Sequence, residues 1–530
     1  MNFLLPHLSN MKQLRHCVPY NAERTEQGSP IEINRKPTVT GTARRASALH
    51  AAIKAALFAL VFIVSSASAN TEELKLPNLG ETSTSMFSSE FEHQLGRAWL
   101  SVFRSQAPTL DDPLLFDYLE DLIYRLVTHS KLEDRRIELV VVDNQTINAF
   151  AVPGGVIGVH NGLLLYAQTE DELATVLAHE IAHLSQRHFS RGVEYQQKMQ
   201  PLTLAAMLAS FVLLATAGGD AGIAALSATQ AAAQQSALRY SRGNEQEADR
   251  IGMQTLVAAD MDPHAAPAMF ERMLQATRYS GGKNVPEFLR SHPLSENRIA
   301  DTRNRARQYP KKIQATSLNY QLMRARVSMQ LSRTPEEAVH QFKGELDGTP
   351  RSQEAAMYGL VLALTAAGRP EEARTQLKPI WNGSPERLEY IVADAEIDLA
   401  MNRPAQAAAK LSKELGVSPG NHPLTMTYAK ALMSNQQPHI AEEVLIAQSK
   451  RRPGDPGLWY LLAEVQGLSG NIPGLHRARA EYFILNGNLD QAKKQLTYAK
   501  GLTKGDYLTT ATINQRLYDV AELHKRMEEL

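Results

Sequence analysis

The chain has 530 residues, with 56 Lys+Arg against 56 Asp+Glu. That length exceeds one ordinary hydrophobic core and predicts two or three domains. The balanced charge, with no basic stretch interleaved with aromatics, excludes an electrostatic nucleic-acid binder.

Residues 1–42 are polar, contain Pro and lack periodicity. They read as a disordered lead-in or an over-extended start, outside the fold. Arg44 and Arg45 then precede a short apolar run at 51–64, followed by Ser65-Ser66-Ala67-Ser68-Ala69. Basic flank, short apolar core and small residues before Asn70 predict a secretory signal peptide over 43–69, cut after Ala69. A non-cleaved anchor is the alternative. The only cysteine, Cys17, lies upstream of the cut, so the exported chain relies on packing without disulfides.

Glu90 to Leu126 has the pattern of an amphipathic helix, and Ile137 to Val142 that of a strand. Asn148 to Val159 reads as a second strand broken by Pro153-Gly154-Gly155, which suits a sheet edge or a hairpin. Beside a catalytic site such an edge could bind substrate backbone as an added strand. An ordinary structural hairpin fits the pattern equally well.

Thr169-Glu170-Asp171-Glu172 is a capping box with acids in the first helical turn. Leu173, Val176, Leu177, Ile181 and Leu184 continue it as an apolar stripe at helical spacing. On this helix lies His179-Glu180-Ile181-Ala182-His183. Residues four apart share a helix face, so the imidazoles of His179 and His183 can converge on one metal ion as two ligands of a tetrahedral site. Glu180, one position round, stands beside the ion as a general base, because a bound zinc lowers the pKa of water to about 7. The chemistry is peptide-bond hydrolysis without a covalent enzyme intermediate.

Leu202 to Ala217 is nearly uncharged, and Ala221 to Ala237 is rich in Ala and Gln. Three readings of this 202–237 hairpin compete: buried core helices, a lid or membrane-surface hairpin over the site, and a true membrane span.

Two histidines leave zinc short of a ligand. The metzincin pattern would place a glycine and a third histidine where this chain has Gln186 and Phe189, so that class is excluded. Asn244-Glu245-Gln246-Glu247-Ala248-Asp249-Arg250 is the better source. Glu245 and Asp249 lie one turn apart on one face, so Glu245 can bind zinc while Asp249 orients a ligand imidazole from behind. Glu247 points elsewhere. The competing reading is a solvated acidic face pairing with Arg242 and Arg250. Downstream, Ser291-His292-Pro293-Leu294-Ser295-Glu296-Asn297-Arg298 places a histidine in a loop that opens a helix. His292 could stabilise the oxyanion or occupy zinc's open position and keep the site quiet. His188 and His264 have no such context and read as structural.

HEIAH, NEQEAD and SHPLSENR, preceded by NAFAVPGG and IGVHNGLL and led by a signal peptide, closely resemble the periplasmic zinc metallopeptidases of the BepA type, the beta-barrel assembly-enhancing proteases. The resemblance covers about residues 75–305. It implies a zincin fold with one zinc ion on His179, His183 and Glu245, Glu180 as base, Asp249 behind a ligand and His292 near the metal. It also implies quality control of outer-membrane barrel proteins, with the barrel assembly machinery as partner. The extension at 1–42 departs from that pattern.

Pro370, Pro404 and Pro438 are 34 residues apart, as are Pro385, Pro419 and Pro453. Ala373, Ala407 and Ala441, and Leu377, Leu411 and Leu445, keep the same interval. This is the tetratricopeptide period. An earlier copy starts near Pro335, Leu458 to Tyr482 is a divergent repeat, and Gly487-Asn488-Leu489 opens a later one. Stacked helix pairs of this kind make a solenoid that binds peptides or partner proteins, or else a structural wing on the peptidase.

The expected fold is therefore α+β and mainly α. A zincin-type domain with a small sheet over 70–310 precedes an all-α repeat solenoid over 311–530. The expected function is a periplasmic zinc endopeptidase acting on misfolded envelope polypeptides, with possible outer-membrane association and peripheral membrane contact. A chaperone or assembly scaffold with a mostly latent peptidase is the alternative.

Overall fold

The computed structural model describes residues 88–195, 242–279, 286–312 and 317–529. The expected lead-in 1–42, signal peptide 43–69 and apolar hairpin 202–237 lie outside these residues. The described residues belong to one compact unit.

Helix α1 (Ser89–Gln106) starts at Ser88, whose hydroxyl accepts the Phe91 N–H. Helix α2 (Pro113–Thr128) starts at Asp112, whose carboxylate accepts the N–H groups of Leu114 and Leu115. The helical pattern expected from Glu90 to Leu126 is realised as two helices. Pro108 and Pro113 cannot donate within a continuous helix, and the residues before them favour extended backbone. The connector pairs with the sheet instead: Leu110 N–H donates to Val141 O, and Asp143 N–H to Pro108 O, both at 2.9 Å.

The sheet has strands β1 (Glu138–Val142), β2 (Ala149–Val152) and β3 (Val156–His160) in the order β1-β3-β2. Strand β3 runs parallel to β1 and antiparallel to β2. The broken strand expected over Asn148 to Val159 is a hairpin, because Gly154 and Gly155 take φ of +84° and +80°. A Cβ on Gly154 would also sit 2.1 Å from the Glu92 carbonyl oxygen, so only glycine lets α1 lie on this turn. Strand β2 is left at an edge of the sheet.

After α3 (Asn161–Tyr166) comes α4 (Glu170–Ser185), the helix of the HEIAH motif. The Thr169 hydroxyl accepts the Glu172 N–H at 3.2 Å, as the capping box predicts. The reciprocal bond shifts by one residue, with Glu172 accepting from Gln168 N–H at 2.5 Å. Every residue of α4 from Glu172 to His183 is buried, so the motif is held on a core helix. Helices α5 (His188–Tyr195), α6 (Arg242–Ala258), α7 (Ala265–Tyr279), α8 (Glu287–Ser291) and α9 (Glu296–Ala306) follow. Gly252 of α6 approaches the backbone of Ala178 and His179 so closely that a Cβ would meet it at 3.2 Å. This brings α6 against α4 at the motif itself.

The tail is a run of helix pairs: α10 (Leu318–Leu331) with α11 (Pro335–Asp347), α12 (Gln353–Ala366) with α13 (Pro370–Gly383), and α14 (Leu388–Ala400) with α15 (Pro404–Val417). Next come α16 (His422–Ser434) with α17 (Pro438–Arg451), α18 (Pro456–Leu468) with α19 (Ile472–Leu485), and α20 (Leu489–Leu502) with α21 (Tyr507–Glu529). Pro370, Pro404 and Pro438 each open the second helix of a pair, where a missing N–H breaks no helical bond. Ala373, Ala407 and Ala441 are 0% exposed, which is why a small residue recurs at each inter-helix contact.

The tail packs on the N-terminal part, and one hydrophobic cluster runs from Leu114 through Tyr320 to Ala478. The Tyr320 hydroxyl reaches the carbonyls of Leu164 and Ala167, both at 2.9 Å, and Arg324 donates to the Leu164 and Leu165 carbonyls. Arg326 donates to Asp112 at 2.9 and 3.0 Å, so one carboxylate caps α2 and anchors α10. Farther along, Arg452 reaches Asp117 at 2.7 Å and Glu120 at 3.1 Å. Gly487 fits against the Ser101 carbonyl of α1, where a Cβ would lie 2.4 Å away.

Candidate metal centre

The ligand atoms of His179, His183, Glu245 and His292 lie within 4.8 Å of one another, and all four residues are buried. His179 and His183 come from successive turns of α4, Glu245 from the first turn of α6, and His292 from the residue that ends α8. The Nε2 atoms of His179 and His183 are 3.0 Å apart. Glu245 stands 3.5 Å from each of them, through Oε2 and Oε1 respectively. His292 Nδ1 lies 3.2 Å from Glu245 Oε1 and 3.4 Å from His179 Nε2. Zinc bonds of about 2.0–2.1 Å at tetrahedral angles put ligand atoms roughly 3.3 Å apart. The separations above, 3.0–3.5 Å, lie near that spacing, and one ligand atom from each residue falls within 4.8 Å of the others, so this donor set fits zinc.

Glu180 lies beside the cluster, with its Oε1 3.4 Å from His292 Nε2. Its carboxylate accepts the Ala151 N–H, and burial raises its pKa against the opposing charges of His292 and His179. That same bond sets the outer edge of β2, which is an edge strand among the described residues, against Glu180.

Behind the ligands, Asp249 Oδ1 lies 3.0 Å from His179 Nδ1. Burial opposes charge on His179, but hydrogen bonds to Asp249 and Glu245 outweigh it and push the pKa up to about 9. His183 is held well below the usual histidine range by burial and by the neighbouring His179 and His292. Glu245 is driven well below the usual carboxylate range: burial opposes this, and the charge and hydrogen bonds of His292 and His179 prevail. The site therefore keeps a carboxylate ready as a metal ligand.

The structure brings together all six residues singled out by motif: His179, Glu180, His183, Glu245, Asp249 and His292. The alternative of a solvated acidic face does not hold, since Glu245 is 2% and Asp249 8% exposed. Their cation is Arg298, not Arg242 or Arg250. Arg298 donates to Asp249 through Nε and Nη2, both at 2.7 Å, and its Nη1 stands 2.8 Å from Glu245 Oε2. The same Nη1 donates to the Pro293 carbonyl at 2.9 Å, tying down the loop after His292. Arg298 was in view at the end of SHPLSENR, but nothing local linked it to acids some fifty residues earlier.

Phe288 also escaped the sequence reading. Its ring stacks on His292 at 4.8 Å and 28°, and meets His179 edge-on at 5.9 Å. Phe288 N–H donates to the Ile147 carbonyl at 3.1 Å, which docks α8 on the approach to β2. Of the histidines read as structural, His264 remains so, bonded to the Tyr309 carbonyl at 3.1 Å. His188 lies against His183, with the two Nδ1 atoms 2.8 Å apart.

Comparison with known proteins agrees with this geometry. The family model described as Peptidase family M48 matches residues 113–306, and one described as tetratricopeptide repeat matches 398–465. The beta-barrel assembly-enhancing protease of Escherichia coli (strain K12) is 35% identical over 456 residues, covering 86% of this chain and 92% of the relative. That of Yersinia pestis is 35% identical over 455 residues, covering 86% and 93%. The mitochondrial metalloendopeptidase OMA1 of Schizosaccharomyces pombe is 33% identical over 190 residues, which is 34% of this chain and 50% of that protein. The chain belongs to peptidase family M48, among the beta-barrel assembly-enhancing proteases, and is a metalloendopeptidase with a tetratricopeptide-repeat tail.

Proposed function

We propose that this chain is an exported zinc endopeptidase of the bacterial envelope. It removes misassembled outer-membrane barrel proteins and supports the assembly of sound ones, with the barrel assembly machinery as its partner. One observation carries the enzymatic core: four buried ligand atoms at zinc spacing, with the Glu180 carboxylate beside them and a strand edge alongside. The names of the relatives and the repeat tail support the choice of substrate and partner.

In this reading His179, His183 and Glu245 would hold one zinc ion, which would supply Lewis acidity and lower the pKa of water at the site. Asp249 fixes the ring of His179 through Nδ1, and Arg298 holds Asp249 and Glu245 in place. Glu180 takes the proton from the attacking water and returns it to the leaving amine. The β2 edge binds the substrate backbone in extended form, which tolerates many side chains. His292, held by Phe288 and the Pro293 loop with Nδ1 3.2 Å from Glu245 Oε1, would offer the ion a further imidazole and keep the resting site closed until substrate displaces it. No helix among the described residues is long and apolar enough to cross a membrane.

The closed resting site also favours the second reading, a chaperone or assembly scaffold whose peptidase is mostly latent. Glu180→Gln separates the two, because it removes the base and spares the ligands. The proteolytic reading expects the variant to keep one zinc per chain, to lose casein cleavage, and to fail to restore barrel assembly in a strain lacking the gene. Full restoration by the variant would make the scaffold reading correct. A parent chain without zinc would overturn the metal assignment.

A further inference from the structure

We infer that His188, together with Glu247, is a positioning residue for the metal ligand His183. This deepens the zinc reading above and rests on it.

His183 turns Nε2 toward His179 and Glu245, which leaves Nδ1 facing away from the cluster. That atom lies 2.8 Å from Nδ1 of His188, a residue only 1% exposed. Two ring nitrogens at this separation share one proton. A ligand nitrogen must be bare, so a neutral His183 carries its proton on Nδ1 and donates it to His188. His188 in turn carries its proton on Nε2, and that atom lies 3.1 Å from Glu247 Oε2. Arg191 also bonds Glu247 Oε2, at 2.8 Å, and keeps the carboxylate anionic. The hydrogen bonds thus run from His183 to His188 to Glu247, all in one direction.

The other ligand imidazole is backed in the same way, with His179 Nδ1 against Asp249. Both carboxylates, Asp249 and Glu247, come from α6, which also supplies Glu245. Asp249 reaches its histidine directly, whereas Glu247, two residues before it and on another face of the helix, reaches His183 through an inserted imidazole.

The chain is shaped for this contact. Were α4 to continue, residue 188 would lie roughly 140° around the helix from His183. Instead α4 ends at Gln186, and Arg187 takes a φ of +49°, in the left-handed region that non-glycine residues seldom adopt. That turn folds His188 back under His183 at the start of α5. A backbone conformation with a steric cost, spent to bury one imidazole against another, fits a functional contact.

The test is zinc affinity of the full chain, by competition with a chromophoric chelator, for the parent and for His183→Ala, His188→Ala, His188→Gln and Glu247→Gln. A glutamine can accept from His183 through its amide oxygen and donate to Glu247 through its amide nitrogen. The expected result is a loss of affinity of about 10–100-fold in His188→Ala. His188→Gln should recover most of it, and Glu247→Gln should fall between. The cobalt(II)-substituted proteins should follow the same order in the visible absorption band, while the metal-free proteins share one unfolding midpoint. Equal affinity and an equal cobalt band in parent and His188→Ala would overturn the inference. So would a His188→Gln variant as weak as His188→Ala but equally stable. If His188→Ala does not fold, His188→Gln and Glu247→Gln decide alone, and no change in either refutes the role. A parent that binds no zinc, or a His183→Ala chain that binds it as tightly as the parent, refutes the metal site itself.

Discussion

Replacing Arg298 with Met removes the guanidinium and keeps most of the stem volume, so its effect isolates charge. The side chains of Arg298, Asp249 and Glu245 are only 4%, 4% and 3% exposed, and water cannot take over the lost contacts. Asp249 loses two charge-assisted bonds and Glu245 one. Breaking a buried pair from one side costs about 3–5 kcal/mol. His179 remains 3.0 Å from Asp249, with its pKa pushed up to about 9, and supplies part of the missing positive charge. The lower end, about 3 kcal/mol, is therefore expected for the metal-free chain. With zinc bound, Glu245 has the ion as counter-charge, and the penalty falls to that of Asp249. Denaturant unfolding of parent and Arg298→Met, each with chelator and with saturating zinc, measures both. Metal-free stabilities within about 1 kcal/mol of each other, or a larger loss with zinc than without, would refute the account of Arg298 as the cation that balances an empty site.

His160 offers a pH dependence away from the metal. Burial holds it down to about 4, against an ordinary value of 6.5. The folded chain keeps it neutral while the unfolded chain takes up a proton, so stability is full above pH 6.5 and is lost as pH falls toward 4, by about 3 kcal/mol. His160→Asn, which can keep the bond to Thr146, should flatten the stability profile over that window by about the same amount; an unchanged profile would show that the imidazole carries none of the acid sensitivity. His292→Ala should raise background cleavage of casein several-fold while zinc stays at one per chain, because it clears the fourth ligand position. Lower cleavage with zinc intact would make His292 an oxyanion donor instead.

Much of this protein is legible from local patterns. The His179–His183 pair needs only helical periodicity, and the Thr169 cap and the stripe of Leu173, Val176 and Leu177 are enough to predict the helix. The 34-residue interval of Ala373, Ala407 and Ala441 marks positions where a packed pair of helices has room for one methyl group. The fit of Glu245 and Asp249 to the site followed from metal chemistry, since two histidines leave zinc short of a ligand. The reading failed where packing between distant segments decides. The break at Pro108 and Pro113 within the helical pattern of 90–126 was not located, because the connector finds its hydrogen bonds on β1. Arg242 and Arg250 were the nearest cations to the acidic pair, yet Arg298 of α9 is the one that reaches it. His188 was set aside because its value depends on a left-handed Arg187 that no periodicity announces.

The sequence by itself therefore determined the reaction class and the repeat architecture, since each follows from spacing along one element. The tertiary structure alone decided which carboxylates are balanced by Arg298, that His292 stands at ligand distance, that His188 backs His183, and that Tyr320, Arg326 and Arg452 bind the tail to the peptidase. Those depend on distances between segments far apart in the chain, which burial and hydrogen-bond satisfaction select only once the whole core has closed.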